Sequence, residues 1–371
     1  MKKLKLTPAL FILILGVIHL LGASLSLAAE IQSTWRAGLG GANMQDAQST
    51  SQFTAFLLET KTKYLAHPSL FLNLDALVKL ESGSFQSIDG ERKNESGFVL
   101  KEAGAHWRLI NPLLLSGGAL NQGTIHTELL ISERAFPAVR ANLKLLEVGN
   151  FQTLIDIEQA TPTSVSMSTN TTGVESVPRL LSASLSLNYE TPRYFWKNRI
   201  GAFAYDNLPS AVAYESSLHG NTVNSISENE SRFVHNYQGL EALSSLRFPV
   251  MRGWDFTGRA NYLQNEKAPT TLNRAYSATA GSEFFFVGRK SLELEVTSFR
   301  IEPDAVVAYF SPAKFFHANR AGFNVESALN FKRNGFRVGA SYSEAEVIYL
   351  SPVQSREKSL MIFLETFYAN I

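Results

Sequence analysis

From Leu180 onward, apolar and polar positions alternate with a period of two. Leu181, Ala183, Leu185, Leu187 and Tyr189 are apolar, and Ser182, Ser184, Ser186 and Asn188 between them are polar. The alternation returns at Trp254–Gln264 and Arg320–Lys332 and recurs to the end of the chain. Successive side chains of a strand point to opposite faces, so each run has one apolar and one polar side. Helical patterning is sparse, and its best stretch is Thr127–Phe136.

Turn-forming residues and polar stretches divide these runs. Short breaks fall at 63–68, 110–112, 148–149, 190–193, 249–253, 288–290 and 333–335. Longer ones fall at 41–50, 82–96, 121–137, 159–179, 213–232, 265–273, 311–319 and 351–358. Bacterial membrane barrels alternate short periplasmic turns with longer outer loops. The breaks follow that order if Glu302-Pro303-Asp304 is not a turn, so Ser291–Phe310 is expected as one long strand kinked at Pro303. Seven strands then precede Gln159 and nine follow Arg179, sixteen in all, with fourteen and eighteen left open. The expectation is an all-β, antiparallel transmembrane barrel.

The first residues fit a secretory signal. Lys2, Lys3 and Lys5 precede an apolar core, Leu10–Leu21, and Ser26-Leu27-Ala28 is a small-x-small cleavage site. The division expected is 1–28 as signal and 29–371 as one barrel domain. Removing three lysines takes the net charge from +1 to −2, which argues against nucleic-acid binding. The chain has no cysteine, so disulfides, thiol chemistry and zinc–thiolate sites are excluded.

Charged and polar residues share one face of several strands. Examples are Arg140, Asn142 and Lys144; Lys197 and Arg199; Glu293, Glu295 and Thr297. An Arg or Lys on the lipid side at the bilayer midplane costs about 2–4 kcal/mol, so these faces are expected to line the inside. A soluble β-sandwich with solvated outer faces is the alternative. Trp35, Tyr189, Trp196, Trp254, Tyr262 and Tyr349 lie near strand ends and suit interfacial aromatic girdles. Core packing suits Trp107 better.

The last strand, Ser359–Ile371, resembles the C-terminal assembly signal of outer-membrane barrels. Phe363, Phe367, Ala369 and Ile371 are assigned to its apolar face, with Ile371 at the usual phenylalanine position and Glu365 interrupting. The layout as a whole resembles a general Gram-negative outer-membrane porin. That resemblance implies export by the general secretory route, and a water-filled channel for passive diffusion of small hydrophilic solutes and ions. It also implies contact with outer-membrane lipid, lipopolysaccharide and the barrel-assembly machinery, and a homotrimer. Such porins fold their third loop into the barrel. Here that loop is Asn121–Pro137, and the resemblance makes Glu128, Glu133 and Arg134 a constriction facing Arg140, Arg199 and Arg259 on the wall. Opposed charges there would set ion preference.

Other readings stay in view. A structural or adhesive barrel with a plugged lumen gives the same alternation. Tyr309-Phe310-Ser311-Pro312-Ala313-Lys314-Phe315 resembles a segment of barrels that export exopolysaccharides. An outer-membrane enzyme would need an activated nucleophile or acid–base pair. The chain has no Gly-x-Ser-x-Gly elbow, no P-loop and no dinucleotide signature. His219 and His235 read as solvated loop residues, and His126 beside Glu128 lacks a third metal ligand. No catalytic residue, metal or cofactor is expected.

Overall fold

The computed structural model describes residues 30–46, 49–87, 96–163, 175–225, 227 and 230–370. The signal, 1–28, and Ile371 lie outside them. The first strands are β1 (Glu30–Gln45), β2 (Ser49–His67), β3 (Leu70–Ser87), β4 (Gly97–Ile110), β5 (Leu113–Asn121), β6 (Ala135–Val148) and β7 (Phe151–Ala160). Next come β8 (Arg179–Glu190), β9 (Phe195–Asp206), helix α1 (Ser210–Leu218), β10 (Gln238–Met251), β11 (Trp254–Asn265), β12 (Arg274–Phe286) and β13 (Lys290–Ile301). The chain ends with β14 (Arg320–Phe331), β15 (Phe336–Val347), β16 (Glu357–Thr366) and the short β17 (Ala369–Asn370).

Each strand from β1 to β15 pairs antiparallel with the next, and β1 pairs with both β16 and β17. β16 and β17 are one stave broken at 367–368, so the sheet closes as a sixteen-strand barrel. Closure leaves no sheet edge with unpaired backbone groups, the condition for a sheet in hydrocarbon. The tight turns sit at one end, which we call the turn end, with Gly253 and Gly335 at φ 84 and 76. Glycine takes this left-handed conformation without a Cβ clash.

The alternation sorts the faces as expected. Val139, Ile157 and Ile200 are 58–69% exposed on the outer surface. Between them, Asp156, Glu158 and Arg199 are buried inside. The inner face changes character along the barrel. Toward the loop end it turns apolar, with Phe136, Ala138, Leu180, Phe203, Tyr205, Phe299 and Ile301 in one core.

Several expectations are corrected. The first long break, 41–50, is mostly strand: β1 and β2 stay in register out to Gln45 opposite Thr50. Gly40 and Gly41 serve strand packing, since a Cβ on Gly40 would press within 3.3 Å of the Ile362 carbonyl. No long kinked strand exists, because β13 ends at Ile301. Beyond it the chain folds inward, and Ala305-Val306-Val307-Ala308 is wholly buried. Four apolar residues in a row have no wet face to offer a protruding strand. Pro303 therefore marks the entry to a folded-in loop. α1 went unforeseen.

Parity at the C-terminus also differs. Glu365 pairs with Arg337 and Arg36 in the lumen, and Phe363 shares its face. Phe363 is buried across Gly339, with the Arg337 guanidinium 5.1 Å from its ring. The break at 367–368 then reverses the facing, so Ala369 shares the outer face of Trp35 while Tyr368 turns inward against Arg36 and Lys61. Phe363 thus lies on the opposite face from the one assigned.

Candidate pore constriction

Segment 122–134, between β5 and β6, enters the lumen. The Asn121 side chain accepts a hydrogen bond from the Gly123 amide at 2.9 Å and starts a short 3-10 turn, Gln122–Thr124. The expected helical stretch reduces to one turn, in which the Leu130 and Ile131 amides donate to the Thr127 carbonyl. Leu129, Leu130 and Ile131 are fully buried. An apolar triplet inside an otherwise polar loop is what pulls it away from water.

The loop is clamped to β10. His126 Nδ1 lies 2.7 Å from Glu241 Oε1, and the Thr127 amide and hydroxyl donate to Glu241 Oε2 at 2.7 and 2.8 Å. Glu241 belongs to β10, four strands of sixteen around the barrel from β6, so the segment runs inside the wall over about a quarter of its circumference. Glu128 accepts from Asn261 at 3.2 Å and from Arg259 at 3.5 Å, and it pairs with Lys314.

The proposed constriction residues take different places. Glu128 lies 3.5 Å from Arg259. Glu133 instead pairs with Lys101, 2.9 Å away on β4. Arg134 donates to the Ser132 hydroxyl, and its guanidinium stands 4.9 Å from the Tyr309 ring. Arg140 holds Glu158 at 2.7 Å, the Thr124 hydroxyl at 2.7 Å and the Asn121 carbonyl at 3.0 Å. Arg199 is 4% exposed and donates to the Thr124 carbonyl at 2.9 Å. Arg140 and Arg199 therefore brace the loop backbone and do not face its carboxylates. Glu59, Lys101, Glu241 and Lys314 were missed. Strand parity places Glu59 and Glu241 inside but says nothing of which loop reaches them, and Lys101 sits at a bulge in β4, beside the inward Glu102, where parity does not decide.

Segments 302–319 and 208–222, the latter carrying α1, complete an apolar plug at the loop end. Phe310 of segment 302–319 packs edge-on against Phe136 and stacks on Tyr205, and its carbonyl accepts from the Ser132 amide at 2.9 Å. Buried asparagines stitch the plug together. Asn221 donates to the Val306 and Pro303 carbonyls and accepts from the Ala308 amide. Asn265 donates to the Asp304 carbonyl at 2.8 Å. Asp304 accepts from the Thr222 amide at 2.9 Å, and burial raises its carboxyl above the usual range. Burial lowers the His317 imidazole to about 4, although two carbonyls, those of Ala308 and Ser311, accept from its ring.

Five of the six expected girdle residues lie in or beside the wall. Tyr189 and Trp196 are cross-strand partners on the outer face, as are Tyr262 and Tyr276. Trp254 stacks on Phe284 with centroids 5.6 Å apart, and Trp35 sits near the turn end of β1. Tyr349 lies past β15 and donates to the Thr271 carbonyl, tying two loops. Trp107 is 48% exposed on the outer face, not in a core. Among the described residues, no group of three or more His, Asp or Glu is placed to hold a metal.

No family model and no curated protein matches the chain. Solved structures do match it. OprB of Pseudomonas putida at high pH aligns with a TM-score of 0.60 and 10% identity, covering 96% of this chain and 97% of that one. A loop L8 deletion mutant of OmpT, an outer membrane protein of Vibrio cholerae, gives 0.52 and 9%, covering 92% and 100%. Salmonella typhi OmpF in complex with daunomycin gives 0.50 and 6%, covering 91% and 97%. Likeness at such low identity speaks for fold alone. In fold, this chain is a porin-like sixteen-strand β-barrel.

Proposed function

We propose that this protein is an outer-membrane porin that passes small hydrophilic solutes by passive diffusion. The observation that carries this reading is the wall: apolar outside, charged and polar inside, and closed. Segment 122–134 narrows the passage, with Glu128 and Glu133 along it. The turn end faces the periplasm and the loops face outward, in lipid and lipopolysaccharide. Residues 1–28 direct export through the general secretory route of a Gram-negative cell. The assembly machinery reads the last strand, with Phe367 and Ile371 contributing, and the barrel works as a homotrimer. No residue is assigned a catalytic role. Purified protein in planar bilayers is expected to give stepwise conductance, and a barrel that never conducts refutes the proposal.

One observation favours a second reading. The plug fills part of the lumen with apolar side chains, which suits a non-conducting structural or adhesive barrel. Exopolysaccharide export rests on residues 309–315 alone, and these lie in the plug with Phe310 and Phe315 buried. Liposome swelling with small sugars separates conduction from a plugged barrel.

A further inference from the structure

Charge is divided unevenly around the turn end. Each hairpin turn there runs from the last residue of one strand to the first of the next. Segments 67–70, 110–113 and 148–151, which join β2 to β3, β4 to β5 and β6 to β7, carry no Lys, Arg, Asp or Glu. Segments 190–195, 251–254, 286–290 and 331–336 join β8 to β9, β10 to β11, β12 to β13 and β14 to β15, and they carry six cations and one carboxylate. The cations are Arg193, Arg252, Arg289, Lys290, Lys332 and Arg333, all exposed, against Glu190. One side of the rim is thus neutral and the other strongly basic, although the chain beyond residue 28 is net acidic.

Within the fold these cations have little to do. Lys332 pairs with Glu283 at 2.6 Å. Arg193, Arg252, Arg289, Lys290 and Arg333 take no ion pair among the described residues. Arg289 has a φ of 58, a left-handed conformation that suits glycine or asparagine, so the turn itself gains nothing from an arginine.

Two sets of neighbours give the arc its depth. On the outer wall just above it lies a belt of paired rings: Tyr189 with Trp196, Phe248 with Phe256, Trp254 with Phe284, and Phe331 with Phe336. Such rings settle at the level of lipid headgroups. Among the cations, Met251, Phe286 and Val287 are 61, 53 and 96% exposed. Long cationic side chains just beyond an aromatic belt reach the phosphate plane. We propose that this arc, the turn end of β8 to β15, binds anionic phospholipid headgroups of the inner leaflet, with Arg252, Arg289, Lys290 and Arg333 taking the phosphates. A soluble acidic peptide or polymer would meet the charge but leave the apolar tips in water. The arc also follows the rim over four neighbouring hairpins, as a shell of lipids does. The proposal rests on the turn end facing the periplasm, as above, and is independent of conduction.

The test is the composition of the lipid that stays with the barrel. The parent is reconstituted in nanodiscs of mixed phosphatidylethanolamine and phosphatidylglycerol, extracted in mild detergent, and its retained lipid quantified by mass spectrometry. Phosphatidylglycerol should be enriched about fivefold over its bulk share, the factor that one Lys or Arg near an anionic surface supplies. The enrichment should vanish in about 1 M salt, where the Debye length is about 3 Å. The joint variant Arg252→Gln, Arg289→Gln, Lys290→Gln and Arg333→Gln should retain phosphatidylglycerol at its bulk share. Arg108→Gln, exposed beside the neutral 110–113 turn, should keep the parent's enrichment. Heat-dependent gel mobility equal to the parent's shows that each variant has folded. No enrichment in the parent, or undiminished enrichment in the folded joint variant, overturns the proposal. Capture of the parent from zwitterionic nanodiscs by soluble polyglutamate, without phosphatidylglycerol enrichment, overturns it in favour of an acidic periplasmic partner. A barrel that enters no bilayer overturns the membrane reading on which the proposal stands.

Discussion

At the residue scale, Glu241 is the single side chain on which the lumen loop depends most. It takes three hydrogen bonds from His126 and Thr127, and both sides are buried. Removing one partner of a buried charged set costs about 3–5 kcal/mol. Glu241→Ala is therefore expected to free segment 122–134, with the barrel wall intact. Limited proteolysis should cut that segment in the variant and spare it in the parent. Gly339 makes a second test of side-chain placement. The Phe363 ring lies where its Cβ would be, so Gly339→Val should destabilise by about 1–3 kcal/mol through overpacking. Gels run after stepwise heating would read this as a lower transition temperature. An unchanged transition temperature would contradict this packing, in which the Ser327 carbonyl also stands 2.7 Å from the position of the added Cβ. Parity read backward from the last residue missed Phe363 because a break in the stave reverses the count, and periodicity carries no sign of a bulge.

At the element scale, the strands were legible and the loops were not. A period of two recurs in the wall because lipid and lumen demand opposite chemistry on its two sides. Nothing comparable organises a loop, so the inward folding of 121–137 rested on the porin resemblance and that of 302–319 was not expected. The signals existed in two places. Residues 305–308 are continuously apolar, and the lumen-facing positions of β6, β8, β9 and β13 become apolar toward the loop end. Apolar side chains on the inner face need a partner, and the plug is that partner. Glycines 40 and 41 misled for the opposite reason: they mark close strand packing as well as turns. Within the plug, His317 gives a pH prediction. Its folded value, about 4, lies below its ordinary 6.5, so charging it disfavours the folded loop. The unfolded state binds more protons between those two values. Stability is then full above pH 6.5 and falls on acidification toward 4, by up to about 3 kcal/mol. Melting of the parent at pH 7 and pH 4 should differ more than that of His317→Gln, and equal differences would dissociate the loop from the effect.

At the scale of the whole molecule, the strand count and the inward facing of charge followed from alternation plus the even-number rule. Which charges would meet could not follow. Glu133 reaches Lys101, and Arg140 and Arg199 brace backbone, because the loop's path is set by its apolar triplet and its clamp on β10. Long-range pairing across a lumen depends on three dimensions that a repeat of two does not encode. Deleting residues 304–317, the inward segment, should enlarge the passage and raise unit conductance, while a plug that merely decorates the rim would leave conductance unchanged. The central claim is that the charged interior is a continuous water-filled path. Single-channel recording of the purified protein in a planar bilayer tests it most directly. Discrete, reproducible current steps are the result expected, and a folded, heat-modifiable barrel that carries no current would contradict it.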